Sequence, residues 1–90
     1  MKRIIYVAKD SKIDGDSFDI KVSFDKEEAT DAAIKDRRHQ SDYDRRRSTH
    51  SVEGYEIDVT IGESAEECWG IYLDCGDYID PVYYEEINVD

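Results

Sequence analysis

No lysine or arginine follows Arg47 in this chain of 90 residues. Its 12 basic residues all lie between Lys2 and Arg47, while its 23 Asp and Glu run the whole length. Residues 1–50 hold 11 of those acids and are close to neutral. Residues 51–90 hold the other 12 with no base among them, within a formal net charge of −11. The acidity belongs to one part of the chain, and such a split points to an interaction face.

Other scarcities exclude whole classes. Proline occurs once and glycine five times, each glycine alone, so there is neither a flexible linker nor a glycine cluster to cradle a phosphate. The longest apolar run in the first strand-like stretch, Ile4 to Ala8, is five residues. A membrane span needs ~18 and the apolar part of a signal peptide ~7–15, so a cytosolic protein with no membrane association is expected. The only cysteines, Cys68 and Cys75, have neither zinc nor thioredoxin spacing. Buried reduced thiols are expected in a reducing compartment, with a regulatory disulfide as the alternative. Charged and hydrophobic residues each make up 39%, but seven Tyr, two Phe and one Trp argue for a packed core rather than disorder. One domain, residues 1–90, is expected from the length, with a modest core.

Patterning supplies the elements. "RIIYVA" reads as a strand, and Asp14-Gly15 as a hairpin turn. "FDIKVSF" alternates, which puts Phe18, Ile20, Val22 and Phe24 on one face. "DKEEATDAAIKDRRHQ" reads as a helix with Asp25 as N-cap, Glu28 at capping-box spacing, and Ala29, Ala32 and Ala33 as a small-residue stripe. "SDYDRRRSTHS" reads as a loop. "YEIDVTI" alternates again, with Tyr55, Ile57, Val59 and Ile61 inward and Glu56, Asp58 and Thr60 outward. "SAEECWGIYLDC" fits a short helix: Ser64 and Glu67 have capping-box spacing, and Ala65, Cys68, Trp69, Tyr72 and Leu73 form a helical stripe. "CWGIYLDC" also fits a strand. "VYYEEINV" reads as the last strand. The order β-β-α-β-(α)-β predicts an α+β fold: an antiparallel sheet of about four strands with one main helix on one face. Its core includes Phe18, Ile20, Val22, Ile57 and Val59. The other face carries the outward Asp19, Lys21, Glu56 and Asp58.

Catalytic signatures are lacking. No nucleophile elbow or Cys-His motif occurs, and His39 and His50, flanking the basic segment, read as solvated loop residues. The acids of "DGDSFD" and "DCGDYID" miss the calcium-loop pattern and read as turn residues. A chain this short leaves little room for a sugar cleft between paired carboxylates. The expectation is a non-enzyme with no cofactor and no metal site. The segment Arg37–Arg47 suits a phosphate contact. The blander reading pairs its arginines with Asp36, Asp42 and Asp44, and a net of −11 repels polyanions at long range.

The C-terminal part interleaves acids with aromatics. Asp74, Asp77, Asp80, Glu85 and Glu86 surround Tyr78, Tyr83 and Tyr84 with no cation nearby in sequence. Tyrosine is enriched at interface hot spots, and carboxylates steer a basic partner. These eight residues are the expected partner-binding set, with Arg45, Arg46 and Arg47 as a secondary one. In size, base-free run from Ser48 and acid-aromatic clusters ("YLDCGDYID", "VYYEEINVD"), the chain resembles small acidic inhibitors encoded by phages and mobile elements, the DNA-mimic anti-restriction and anti-CRISPR proteins. The resemblance implies occupation of the nucleic-acid-binding or PAM-reading groove of a nuclease complex, without direct binding of nucleic acid, by a monomer or small homo-oligomer. It departs from that pattern in its arginine-rich segment. Two alternatives stand beside it: an immunity protein or antitoxin against a basic nuclease toxin, and a small nucleic-acid-binding accessory protein acting through Arg37–Arg47.

Overall fold

A computed structural model describes residues 1–89. The elements are β1 (Lys2–Lys12), β2 (Ser17–Ser23), α1 (Lys26–His39), α2 (Asp42–Arg46), β3 (Ser48–Asp58), α3 (Ala65–Cys75) and β4 (Tyr83–Ile87). The four strands form one sheet in the order β2-β1-β3-β4, and every pairing is antiparallel. The α+β architecture expected from the patterning is present. Two 11-residue strands, β1 and β3, pair along their whole length. At ~3.4 Å per residue they account for most of the 42 Å long axis.

Both faces of the sheet are covered, so the expected solvated second face is corrected. On one face lies α1, its Ala29 and Ala33 packed with Ala8, Val52 and Ile87. On the other lies α3, whose Cys68 and Trp69 pack with Ile5, Val7, Tyr55, Ile57 and Val59. Of the expected outward set, Lys21 turns to α1, bonding Glu28 at 3.2 Å. Asp19 turns to α3, accepting a 2.8 Å bond from Trp69 Nε1.

A bulge explains why β2 departs from its reading. Ala8 pairs with Lys21 but Lys9 pairs with Asp19, which leaves Ile20 without a partner. The extra residue reverses the alternation. Val22 and Phe24 therefore pack on the α3 side and Ile20 on the α1 side, while Phe18 is 54% exposed and belongs to neither core. Ile61 is likewise not inward: it lies past the end of β3 and is 90% exposed. Tyr55, Ile57 and Val59 are buried as expected.

The segment expected as a loop holds α2 and the start of β3. Ser41 caps α2 by accepting from Asp44 N–H at 3.2 Å. Ser48, His50 and Ser51, buried polar residues, open β3 seven residues before its apolar alternation begins. On α1, Asp25 caps by accepting from Glu27 N–H at 2.9 Å. Glu28 does not close a capping box, because Lys21 and the Ser23 hydroxyl hold its carboxylate. The box at α3 is complete: Ser64 Oγ accepts from Glu67 N–H at 3.1 Å and Glu67 accepts from Ser64 N–H at 3.3 Å. Gly76, at φ 73°, ends α3 in the left-handed conformation that glycine adopts without a Cβ clash.

Candidate functional site

The expected partner-binding residues fall in three places. Asp74 sits in the last turn of α3, Asp77, Tyr78 and Asp80 in the connection to β4, and Tyr83, Tyr84, Glu85 and Glu86 on β4 itself. The connection is tied back onto α3 and β3. Ile79 N–H donates to Tyr72 Oη at 2.8 Å, Tyr78 meets the Tyr72 ring edge-on at 5.9 Å, and Val82 N–H donates to Gly54 O at 2.8 Å. Behind it Tyr72, Trp69 and Tyr55 form a tilted stack with centroids 5.0–6.1 Å apart. Tyr78 is thus the outer member of an aromatic series that reaches into the core.

On β4 the period of two divides the set. Tyr84 and Glu86 pair with Glu53 and Ser51 and so face the α3 side, whereas Tyr83 and Glu85 pair with Gly54 and Val52 and face the α1 side. Tyr83 packs edge-on against Tyr6 at 6.0 Å under the ammonium of Lys26, and donates its hydroxyl proton to Glu85. That bond raises the Tyr83 phenol above its ordinary range. Tyr84 and Glu86 therefore lie on the side of the sheet that α3 covers, the helix and connection that carry Asp74, Asp77, Tyr78 and Asp80; Tyr83 and Glu85 lie on the other side.

The α3 face is apolar as well as acidic, which the sequence reading missed. Ile71, Leu73, Ile79 and Val82 are exposed beside Tyr78 (71%) and Tyr84 (57%). A groove of about 540 Å³ runs between the end of β3 and α3, floored by Ile57, Cys68, Ile71 and Tyr72 and flanked by Asp58 and Asp77. Of the expected stripe, Ala65, Cys68, Trp69 and Tyr72 turn inward, but Leu73, its last member, is exposed; Ile71, apolar and off the stripe, was the available signal.

The electrostatics are one-sided. Among the described residues after Ser48, Glu53 alone makes an ion pair, with Lys9 at 3.6 Å, apart from the contacts of His50. Lys9 also lies 3.8 Å from Asp19 and over the Tyr55 and Trp69 rings. Burial first, then a bond donated to Glu53, pushes the Tyr55 phenol far above its ordinary value. The last turn of α3 carries no basic residue, so Asp74 adds its charge to the negative end of the helix dipole.

The arginine segment is ordered by other means than expected. No arginine pairs with Asp36, Asp42 or Asp44 among the described residues. Arg37 donates to Ser48 O at 2.9 Å, Arg45 donates to Arg38 O at 3.4 Å, and Arg47 stacks over Tyr43 at 5.3 Å. Arg38, Arg46 and Arg47 are exposed, and Arg37 and Arg45 are half-buried. His39 is exposed as expected, but His50 is fully buried on β3, which corrects its reading as a loop histidine. Its strand begins earlier than the apolar alternation signals.

The two cysteines are thiols, Cys68 buried and Cys75 exposed. Seven residues apart on one helix they stand ~10.5 Å apart along its axis, beyond the ~7 Å limit for a disulfide, so the regulatory alternative is excluded within α3. Burial raises the Cys68 thiol, which makes it a poor nucleophile. No helix of the described residues is long and apolar enough to cross a membrane. No family model, curated protein or solved structure matches this chain.

Proposed function

We propose that this chain is a protein-binding inhibitor, of the kind phages and mobile elements use against host defence. Its acidic, tyrosine-bearing α3 face docks in the nucleic-acid-binding groove of a basic nuclease or defence complex and blocks it. The observation that carries this reading is the uncompensated charge. Carboxylates crowd the negative end of α3 with no cation to balance them, around exposed apolar and tyrosine side chains. Crowding of that kind weakens the isolated fold and is relieved when lysines and arginines arrive. A groove that neutralises phosphates supplies such residues. Tyr78 and Tyr84 provide the desolvated anchors, and Asp77, Asp80 and Glu86 steer the approach. Tyr83 and Glu85 contribute less, being turned to the other side of the edge.

The test is a competition titration on a partner captured from the host. The protein displaces DNA or RNA from that partner and does not itself bind nucleic acid. Charge reversal at Asp77 or Asp80 slows association and flattens its salt dependence, and truncation of Tyr78 or Tyr84 speeds dissociation, by ~2 kcal/mol or more where either is a hot spot. A partner that holds nucleic acid and this protein together, with neither affinity changed, overturns the reading.

The ion-pair-free Arg38, Arg46 and Arg47 favour a second reading, a nucleic-acid-binding accessory protein. Salt-sensitive retention of the chain on a nucleic-acid column, lost when those arginines are replaced, would establish it instead. The immunity-protein or antitoxin reading uses the same acidic face and differs only in the partner captured.

A further inference from the structure

Between the sheet and α1, away from the proposed docking face, His50 meets two carboxylates. Ligand atoms of Asp10 on β1, Asp36 on α1 and His50 on β3 all lie within 4.8 Å of one another. His50 has no exposed surface and Asp10 is 7% exposed. His50 Nε2 lies 2.7 Å from Asp36 Oδ2. The carboxylate accepts, so Nε2 donates, and in the neutral ring this leaves Nδ1 as a lone pair. Nδ1 faces Asp10 Oδ1 at 3.9 Å. That is too long for a hydrogen bond, and both atoms are buried with no hydrogen-bond partner among the described residues. Two acceptors cut off from water and aimed at each other are costly, and a cation between them satisfies both.

The geometry fits a metal ion. Bonds of ~2.0–2.1 Å to an imidazole nitrogen and ~2.0–2.2 Å to a carboxylate oxygen together span 3.9 Å when the bridge is bent. A carboxylate on the other ring nitrogen is the usual support of a ligating histidine, and Asp36 stands there. Asp10 is held in place from its other side. Its Oδ2 accepts from Lys12 Nζ at 2.8 Å and Gln40 Nε2 at 3.1 Å, which keeps Oδ1 turned towards His50. We propose that Asp10 Oδ1 and His50 Nδ1 bind a divalent first-row transition ion of the zinc class, with Asp36 orienting the imidazole. Imidazole with carboxylate selects zinc, cobalt or nickel over magnesium and calcium, which take oxygen ligands. The ligands come from β1 and β3, and Asp36 adds α1, so the ion stabilises the native fold by mass action.

The experiment uses the full chain stripped by chelator, with zinc or cobalt ions alone as probes. Zinc raises the thermal midpoint and magnesium at the same concentration does not. Cobalt produces ligand-field absorption, and imidazole nitrogen NMR shows the His50 Nδ1 resonance moving on zinc addition. Asp10→Asn abolishes the cobalt band. Asp36→Asn, at a half-exposed position that tolerates the change, weakens zinc ~10–100-fold. If the wild-type chain shows neither the zinc shift nor the cobalt band, the proposal is overturned and a proton occupies Nδ1. If the band survives Asp10→Asn, the ion sits on surface carboxylates and the proposal is equally overturned.

Discussion

Under α1 the sheet presents Ala8, Val52 and Ile87 to the alanines of a helix, with Asp10, Ser48 and His50 buried beside them. Under α3 it presents Ile5, Val7, Tyr55 and Ile57 to Trp69, and the aromatic stack continues outward to the exposed Tyr78. The first face spends its polar groups inward, on hydrogen bonds that fix α1 and α2 to β3. The second keeps its interior apolar and leaves its carboxylates on the rim, most without a cation. One side of the sheet thus holds the architecture together, and the other displays a surface. Small residues under α1 bring the helix close enough for those buried polar contacts; bulky ones under α3 hold it off and leave a groove beside it.

The sharpest break of this contrast is Trp69→Ala. It removes the centre of the aromatic stack and the bond to Asp19, at a position 5% exposed. The expected loss is ~3–5 kcal/mol, a large part of the total stability of a small domain. Val52→Ala, buried under α1, removes less volume and no hydrogen bond. Denaturant midpoints should fall much further for Trp69→Ala; the reverse order would place the main core under α1.

A second change separates close packing from open space. A Cβ on Gly54 would come within 3.0 Å of Tyr83 Cβ and 3.2 Å of both Ile4 and Tyr6, because the Tyr6–Tyr83 pair closes over that glycine. Gly54→Ala should cost ~1–3 kcal/mol through overpacking. Gly70, on the exposed side of α3, has nothing near its added Cβ. Gly70→Ala should therefore stabilise by roughly 1 kcal/mol through helix propensity. Opposite signs from the same substitution, read from thermal midpoints, are the expected outcome.

The legibility of the chain follows the same division. α1 was readable from its acidic start, alanine stripe and basic end, and α3 from the Ser64–Glu67 box and the Trp69 stripe. Tyr55 to Val59 were readable because one face of that stretch is apolar. The start of β3 was not, since Ser48, His50 and Ser51 are buried polar residues, and Ser48 and His50 find partners on α1, at Arg37 and Asp36, 11 and 14 residues back in sequence. The bulge at Ile20 was not, because a single extra residue leaves no compositional trace and inverts every side chain before it. Of the site, the residues clustered from Asp74 to Asp80 were visible as an acid-aromatic run. The division of Tyr83 and Glu85 from Tyr84 and Glu86 needed the β4 register, and the buried trio needed three elements brought together.

Alkaline pH should probe both faces at once. The fold raises Cys68 by burial from an ordinary 9.0, and Tyr55 by burial and its Glu53 bond from an ordinary 10.0. Their protonated forms are favoured in the native state. The unfolded chain therefore releases these protons first as pH rises, binds fewer of them, and gains stability relative to the fold. Lys12 is raised too, by its bond to Asp10, and loses that bond when it deprotonates. Stability is whole below the ordinary values and is lost as pH climbs past about 9 and through the raised ones. Thermal midpoints measured from pH 8 to pH 11 should fall steadily, and Tyr55→Phe should flatten the decline. A midpoint independent of pH over that range would mean that burial at Tyr55 and Cys68 does not persist in solution.

Asp74→Lys should have the smallest effect on stability and the most informative one. Asp74 lies in the last turn of α3, where the backbone carbonyls already present negative potential and Asp77 follows just past the Gly76 cap. A lysine there complements the dipole and meets the surrounding carboxylates, a gain of ~0.3–1 kcal/mol at low ionic strength. The midpoint should rise by a few degrees in dilute buffer. Sodium chloride should raise the wild-type midpoint in the same way, since ~0.15 M salt screens exposed charges beyond ~8 Å, and should narrow its gap to the variant. If the carboxylates serve only solubility, the variant gains stability and loses nothing else. If they receive a basic partner, the same variant is more stable alone and slower to associate. A stabilised Asp74→Lys protein with an unchanged association rate would therefore remove the C-terminal end of α3 from the binding surface and leave the α1 side of β4, with Tyr83 and Glu85, as the place to look.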